Sequence, residues 1–390
     1  MSNQELERAR HSLRSAGIDF ALLAAPSNVC YTSGWDVPPP IDAGWDFSEG
    51  VALVLVSVAD GRAILLCPDS WQRQAEAANR LDDMRAYGTF AFAAPVDGVA
   101  AFLNAVRTAL RDVGAGGSHA VLGIEPRYLP QRVAELIGRD FGSLTLRDAG
   151  DAMKAARLLK TEREISLIRG AIAAADAGQE ELRRVCNGDG VGRTEIEVYA
   201  GVHAAAHRAA GGPVQVVGEL VTGPRTSEER YPGGPIDRRL QRGDTALQDI
   251  SVRVKGYWAD CTNTLVVEDE PTAVQRRYFR AACRAFEAAA EGLRPGAIAS
   301  DAVEAAHRAM VAEGFDVTPY CGHQIGASVN ETPRLVPHDR TVIEAGMVFA
   351  VEPGVYGGPD VGMGARAERV IVVREQGPEI LSSFAWGMDV

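Results

Sequence analysis

Apolar residues fall into two textures along the chain, and each predicts a different domain. The opening MSNQELERARHSL is polar and helix-prone. DFALLAAPSNVCYTSGW follows, a strand-like apolar run closed by Pro26-Ser27-Asn28, which has the chemistry of a turn. VALVLVSVADGRAILLCP is two apolar, β-branched runs around Asp60-Gly61 and predicts a hairpin. Helical stretches then alternate with short strands up to about residue 150, the pattern of an α/β domain with a mixed sheet.

The texture changes near residue 152. In AMKAARLLKTEREISLIRGAIAAADAGQEELRRV, Ile165, Ile168 and Ile172 recur at helical spacing with charges between them. This divides the chain into a first domain, residues 1–152, and a second, residues 153–390. RTEIEVYAGVHAAAHRAA opens a further helix, with Thr194 and Glu197 spaced as a capping box. TAVQRRYFRAACRAFEAAAEGL stops at Arg294-Pro295-Gly296, and SDAVEAAHRAMVAEGF starts with Ser300 or Asp301 as its cap. Between and after these helices lie the strand patterns TALQDISVRV, GYWADCTNTLVV, GMVFAVEPG and ARAERVIVV. The second domain is therefore expected to be α+β with an antiparallel sheet.

Composition narrows the function classes. The 390 residues carry a net charge of −12 with no lysine or arginine run, which argues against a nucleic-acid partner. No window approaches the roughly 18 consecutive apolar residues of a membrane span, and the N-terminus lacks the apolar core of a signal peptide. The six cysteines are scattered, with no CxxC pair, and predict reduced thiols in a cytoplasmic protein. No Walker loop, dinucleotide fingerprint or G-x-S-x-G elbow is present.

Candidate chemistry concentrates in the second domain. In QDISVRVKGYWADCTNT, Asp249 and Asp260 lie on the two arms of a hairpin turning near Lys255-Gly256. A tight loop there opposes 251 to 260 and 249 to 262, and the neighbouring register opposes 249 to 260. In both registers the aspartates share one face, because strand faces alternate with period two. Carboxylates that close repel unless a cation lies between them, and the plain alternative is a pair of exposed acids. Glu352 ends the apolar run of GMVFAVEPG, at a strand rim or as a ligand. In GARAERVIVV, Arg366, Glu368, Val370 and Val372 are expected on one strand face, with a surface Arg366–Glu368 ion pair as the plain reading. His323 stands alone in PYCGHQIGASVNETP. Two Asp, one His and two Glu beside apolar runs suit two divalent cations bridged by carboxylates. His203 and His207 have ligand spacing in HAAAH but no intervening Glu, and are read as exposed or packing residues.

The order Asp, Asp, His, Glu, Glu resembles that of the pita-bread metallohydrolases: prolidase, aminopeptidase P, methionine aminopeptidase and creatinase. GDTALQDISVRVKGYWADCTNT, GHQIG, EAGMVFAVEPGVY and GARAER carry the resemblance, PSNVCYTSGW is similar to the N-terminal domain of the prolidase branch, and RLLKTEREISLIRGA to its linker helix. The resemblance implies a binuclear centre held by Asp249, Asp260, His323, Glu352 and Glu368. Asp260 and Glu368 would bridge the metals, and Glu352 would shuttle the proton of a metal-activated water. Mn, Fe or Co suit the hard ligands better than a thiolate-type zinc site, with zinc as the alternative. The resemblance further implies a homodimer, with Trp35 and Trp45 lining a neighbour's pocket or else packing in their own domain.

The chain departs from the family around the ligands. Histidines usual in prolidases are replaced by Pro232, Pro319 and Asn330. Ser251 stands where D-x-G has glycine, Asn263 where arginine follows the second Asp, and Arg369 where R-x-E-D ends. Proline and asparagine cannot serve as acids near neutral pH. The expected function is therefore metal-dependent hydrolysis of an amide or other C–N bond in a small-molecule or dipeptide substrate, with Xaa-Pro cleavage weakened. A lyase resembling dimethylsulfoniopropionate lyase, and a non-catalytic binding protein, are the alternatives. Substrate contacts are expected from Arg366, Asn330, Tyr231 and Tyr356. Arg225, Arg230 or Tyr231 of the loop TGPRTSEERYPGGP would hold a small anionic substrate, unless that loop is a solvated turn.

Overall fold

Strands of the N-terminal part are apolar at successive positions because helices cover both faces of their sheet. A computed structural model describes residues 3–38, 51–117, 119–228 and 234–389. The chain folds as two units, Met1–Leu158 and Leu159–Val390.

The first unit runs α1 (Gln4–Ser15), β1 (Phe20–Leu23), α2 (Pro26–Ser33), β2 (Leu53–Ser57), β3 (Ala63–Pro68), α3 (Gln72–Ala78), β4 (Asp83–Tyr87), α4 (Gly98–Asp112), β5 (Val121–Ile124), α5 (Gln131–Asp140), β6 (Thr145–Asp148) and α6 (Gly150–Arg157). Its sheet has the order β4-β3-β2-β1-β5-β6. The β1–β2 and β2–β3 pairs are antiparallel and the others parallel, the expected mixed sheet. Period two divides the core: Ala21, Leu23, Val54, Val56 and Leu65 pack with Leu6, Leu13 and Met153, whereas Leu22, Leu53, Leu55 and Ile64 pack with Phe102, Val106, Val133 and Ile137. Pro26-Ser27-Asn28, expected as a turn, instead opens α2. Proline suits a first helical turn, whose N–H groups lack helical partners, and Glu125 accepts from the nearby Ala24 and Ala25 amides at 2.6 and 2.8 Å. Trp35 is buried against Trp71, with ring centroids 6.0 Å apart. Trp45 lies outside the described residues.

The second unit opens with α7 (Glu162–Gly188) and α8 (Glu195–Ala210), each started by a capping box, Thr161–Glu164 and Thr194–Glu197. Three antiparallel strands follow, β7 (Gln215–Thr222), β8 (Thr245–Val254) and β9 (Tyr257–Val266). After α9 (Ala273–Gly292) and α10 (Ala299–Ala312) come β10 (Gly322–Gln324), β11 (Glu331–Arg334), β12 (Val348–Val351), β13 (Gly354–Tyr356), β14 (Gly364–Arg366), β15 (Arg369–Arg374) and β16 (Gly377–Ile380). These form an antiparallel sheet of order β11-β10-β12-β15-β16 and a separate β13-β14 pair.

Two local expectations are corrected. Ile298 precedes α10, so Ser300 and Asp301 lie inside its first turn, where acidic residues favour the helix N-terminus. ARAERVIVV is not one strand: β14 ends at Arg366 and β15 begins at Arg369. The chain changes partner there, from β13 to β12, and the Glu368 amide donates to Thr262 O at 3.1 Å.

Candidate metal centre

The β8–β9 turn sets the register. Lys255 and Gly256 both have positive φ, +49° and +83°, as a two-residue hairpin turn requires. Ser251 then opposes Asp260 and Asp249 opposes Thr262, the tight-loop register. Glu219 on β7 lies opposite Asp249, so Glu219, Asp249 and Thr262 form one row across the sheet. The other face packs under α7, where Gln179 Nε2 donates to Gln248 O at 3.1 Å and Cys261 O at 2.9 Å. The carboxylates thus occupy the face turned away from that helix.

Two other segments complete the group. His323 pairs with Ala350 across β10 and β12. Gly322 before it has φ +135°, and a Cβ there would lie 2.1 Å from Ala350 O, so glycine permits the close approach. Glu352 follows β12, its amide donating to Cys321 O at 2.9 Å. Candidate ligand atoms fall into two groups, Asp260–His323–Glu368 and Asp249–Glu352–Glu368, each within 4.8 Å. Glu368 belongs to both and Asp260 to one. All five expected ligand residues are brought together.

The chemistry of this set fits divalent cations. His323 Nε2 lies 3.4 Å from Glu352 Oε1 and 3.7 Å from Asp260 Oδ2. Its Nδ1 is 2.9 Å from Gln324 O. A carbonyl only accepts, so Nδ1 carries a proton and Nε2 faces the carboxylates as a ligand nitrogen would. Glu368 Oε1 is buried without a hydrogen-bond partner among the described residues. Burial raises the carboxyl pKa of Asp249, Glu352 and Glu368, and the charge of Asp260 adds to this at all three. Burial pulls His323 down, but Asp260 and Glu352 outweigh it and leave its pKa raised. Removing these carboxylates from water is costly without cations, and oxygen ligands with one imidazole suit hard or borderline divalent ions.

The surrounding shell contains residues that motif reading missed. Thr262 Oγ1 donates to Glu368 Oε2 at 2.6 Å, and Ser251 Oγ to Asp260 Oδ1 at 2.8 Å. Serine in the glycine position therefore orients a carboxylate. Arg366 donates from Nε to Thr262 Oγ1 at 3.1 Å, from Nη1 to Tyr356 Oη at 3.2 Å, and from Nη2 to Glu219 at 2.6 Å and Asp249 at 2.8 Å. The plain alternative, a surface Arg366–Glu368 ion pair, is not what forms: Glu368 is fully buried and Arg366 bonds elsewhere. The row partner of Asp249 was the available signal for Glu219, but β7 had to be paired with β8 first.

Other residues singled out in the sequence lie apart from this group or outside the described residues. Asn330 is exposed on the bend before β11. Arg225 is held by Glu195 and by Gly234 O, the latter at 3.1 Å. Arg230, Tyr231 and Pro232 lie outside the described residues. His207 Nδ1 accepts from the Val214 amide at 3.1 Å, and the His203 ring packs 4.1 Å from Tyr199. Asn263 and Arg369 dock the C-terminal segment: Asn263 Oδ1 accepts from the Gly387 amide at 2.8 Å, and Arg369 lies over the Trp386 ring at 3.8 Å.

Fold and site together define a pita-bread metallohydrolase with a creatinase-like N-terminal domain. Residues 166–375 match the model of metallopeptidase family M24, and residues 5–159 that of the creatinase/prolidase N-terminal domain; the chain belongs to family M24. An Xaa-Pro dipeptidase of Pyrococcus horikoshii is 29% identical over 268 residues, 67% of this chain and 72% of that protein. A probable dipeptidase, PepE, of Mycobacterium tuberculosis is 34% identical over 234 residues, 59% of this chain and 60% of that protein. The prolidase structure from Pyrococcus horikoshii superposes with a TM-score of 0.78 at 24% identity, covering 99% of each chain, and shows the same fold. The chain is thus a metallopeptidase-like hydrolase. Among the described residues no helix is long and apolar enough to cross a membrane.

Proposed function

We propose that the protein is a binuclear metal-dependent hydrolase that cleaves an amide or related C–N bond of a small substrate. One observation carries this reading: two groups of three candidate ligands share Glu368. Asp260, His323 and Glu368 would hold one divalent ion, and Asp249, Glu352 and Glu368 the other. Such ions, when bound, polarise a carbonyl and lower the pKa of water.

The chain's own residues do the remaining work. Glu352, beside His323, takes the proton of the attacking water and returns it to the leaving nitrogen. Thr262 and Ser251 hold Glu368 and Asp260 in place, while Arg366 offsets the charge at Asp249. The dipeptidase names of the relatives support a dipeptide or similar amide as substrate. Exposed Pro319 and Asn330, where the resemblance places histidines, support a substrate that does not use them. A homodimer belongs to the same reading and is tested by light scattering.

The test is elemental analysis of purified protein, followed by assay against Xaa-Pro dipeptides and a panel of small non-peptide amides. About two metals per chain, with turnover abolished in D260A, is the expected result. Elimination products without uptake of water would overturn the hydrolase assignment in favour of a lyase.

A further inference from the structure

We propose that Glu219 reads the substrate: its second carboxylate oxygen accepts a hydrogen bond from a substrate ammonium group. The inference rests on the metal-centre reading above and deepens it by naming a substrate feature. Glu219 is 2% exposed and shares its row and sheet face with Asp249 and Thr262. It is in neither candidate ligand group. Its Oε1 takes Arg366 Nη2 at 2.6 Å. Its Oε2 is buried and has no hydrogen-bond partner among the described residues.

A carboxylate serving only as counter-ion to an arginine is best satisfied by a two-point pair. Here Arg366 Nη2 divides its contacts between Glu219 and Asp249, at 2.6 and 2.8 Å, and leaves Oε2 over. A buried acceptor without a donor is costly, so a ligand that supplies one gains affinity. Arg366 thus meets Glu219 through Oε1 alone, and an ammonium at Oε2 would supply the missing donor through a charge-assisted bond, about twice as strong as a neutral one.

The test titrates glycinamide and N-acetylglycinamide calorimetrically into manganese-loaded wild-type protein and E219Q, with the metal content of each measured. The acetylated probe keeps the amide and lacks the ammonium. Wild type is expected to prefer glycinamide by about tenfold, and E219Q to keep its metal and reduce the preference to within about twofold. Equal binding of the two probes by wild type, no measurable binding of glycinamide, or an unchanged preference in E219Q overturns the proposal. Loss of metal in E219Q also overturns it, since Glu219 would then be a ligand. Hydrolysis is judged separately by turnover: Glu219-dependent binding without turnover would overturn the hydrolase reading alone.

Discussion

Arg366 and Asp249 are joined by a 2.8 Å charge-assisted hydrogen bond inside the centre, and the same nitrogen bonds Glu219 at 2.6 Å. Burial opposes the charge on Arg366, but Tyr356, Asp249 and Glu219 outweigh it and raise its pKa well above the usual value. The arginine holds two facing residues of adjacent strands in one geometry. R366A leaves both acids buried without their cation, and breaking such a pair costs about 3–5 kcal/mol. Urea unfolding of metal-free protein measures this loss, and R366K is expected to recover only part of it because lysine cannot fork.

Thr262 is expected to tune the centre without ligating it. T262V keeps the shape but removes the 2.6 Å bond to Glu368 and the acceptor for Arg366 Nε. Metal affinity is expected to fall by about 10–100-fold with the fold retained. Competition with a chelator reads the affinity, and circular dichroism the fold.

Metal removal is expected to invert the response to pH. Burial raises the folded-state pKa of Asp249, Glu352 and Glu368. A carboxyl with a raised folded pKa holds its proton more tightly in the folded chain than in the unfolded one. Its contribution to stability is therefore present below the unfolded value, about 4, and is lost as pH rises through the folded value. Chelated protein should lose thermal stability on going from about pH 5 to pH 8, whereas the gain from added manganese should grow over the same range as the ligands deprotonate. Melting curves with and without chelator check both signs.

The hairpin turn gives a test away from the chemistry. Lys255 occupies a left-handed conformation, φ +49°, that asparagine tolerates better. K255N is expected to raise stability by up to about 1 kcal/mol and leave metal content unchanged. Thermal melts and elemental analysis report the two.

Much of this centre follows from the sequence itself. Strand parity alone put Asp249 and Asp260 on one face, because both tight registers do so, and apolar flanks marked His323 and Glu352. The resemblance then joined the distant segments. Glu219 and Thr262 were not legible, since their roles depend on which residues stand side by side across β7, β8 and β9. The alternating pattern of ARAERVIVV puts Arg366 and Glu368 on one strand face, and the change of strand partner at 367–368 leaves no mark in that pattern; the resemblance, not the pattern, identifies Glu368 as a ligand. At Pro26 the same residue types suit a turn and a helix start, and burial of the following segment decided for the helix.

Glu368 is proposed to serve both halves of a two-metal centre. Elemental analysis of wild type, D249N and E368Q after identical manganese loading tests it most directly. A shared Glu368 is expected to give about two ions per chain in wild type, about one in D249N and close to none in E368Q. A wild-type protein that takes up no metal under several loading conditions, or an E368Q that still holds two, would contradict it.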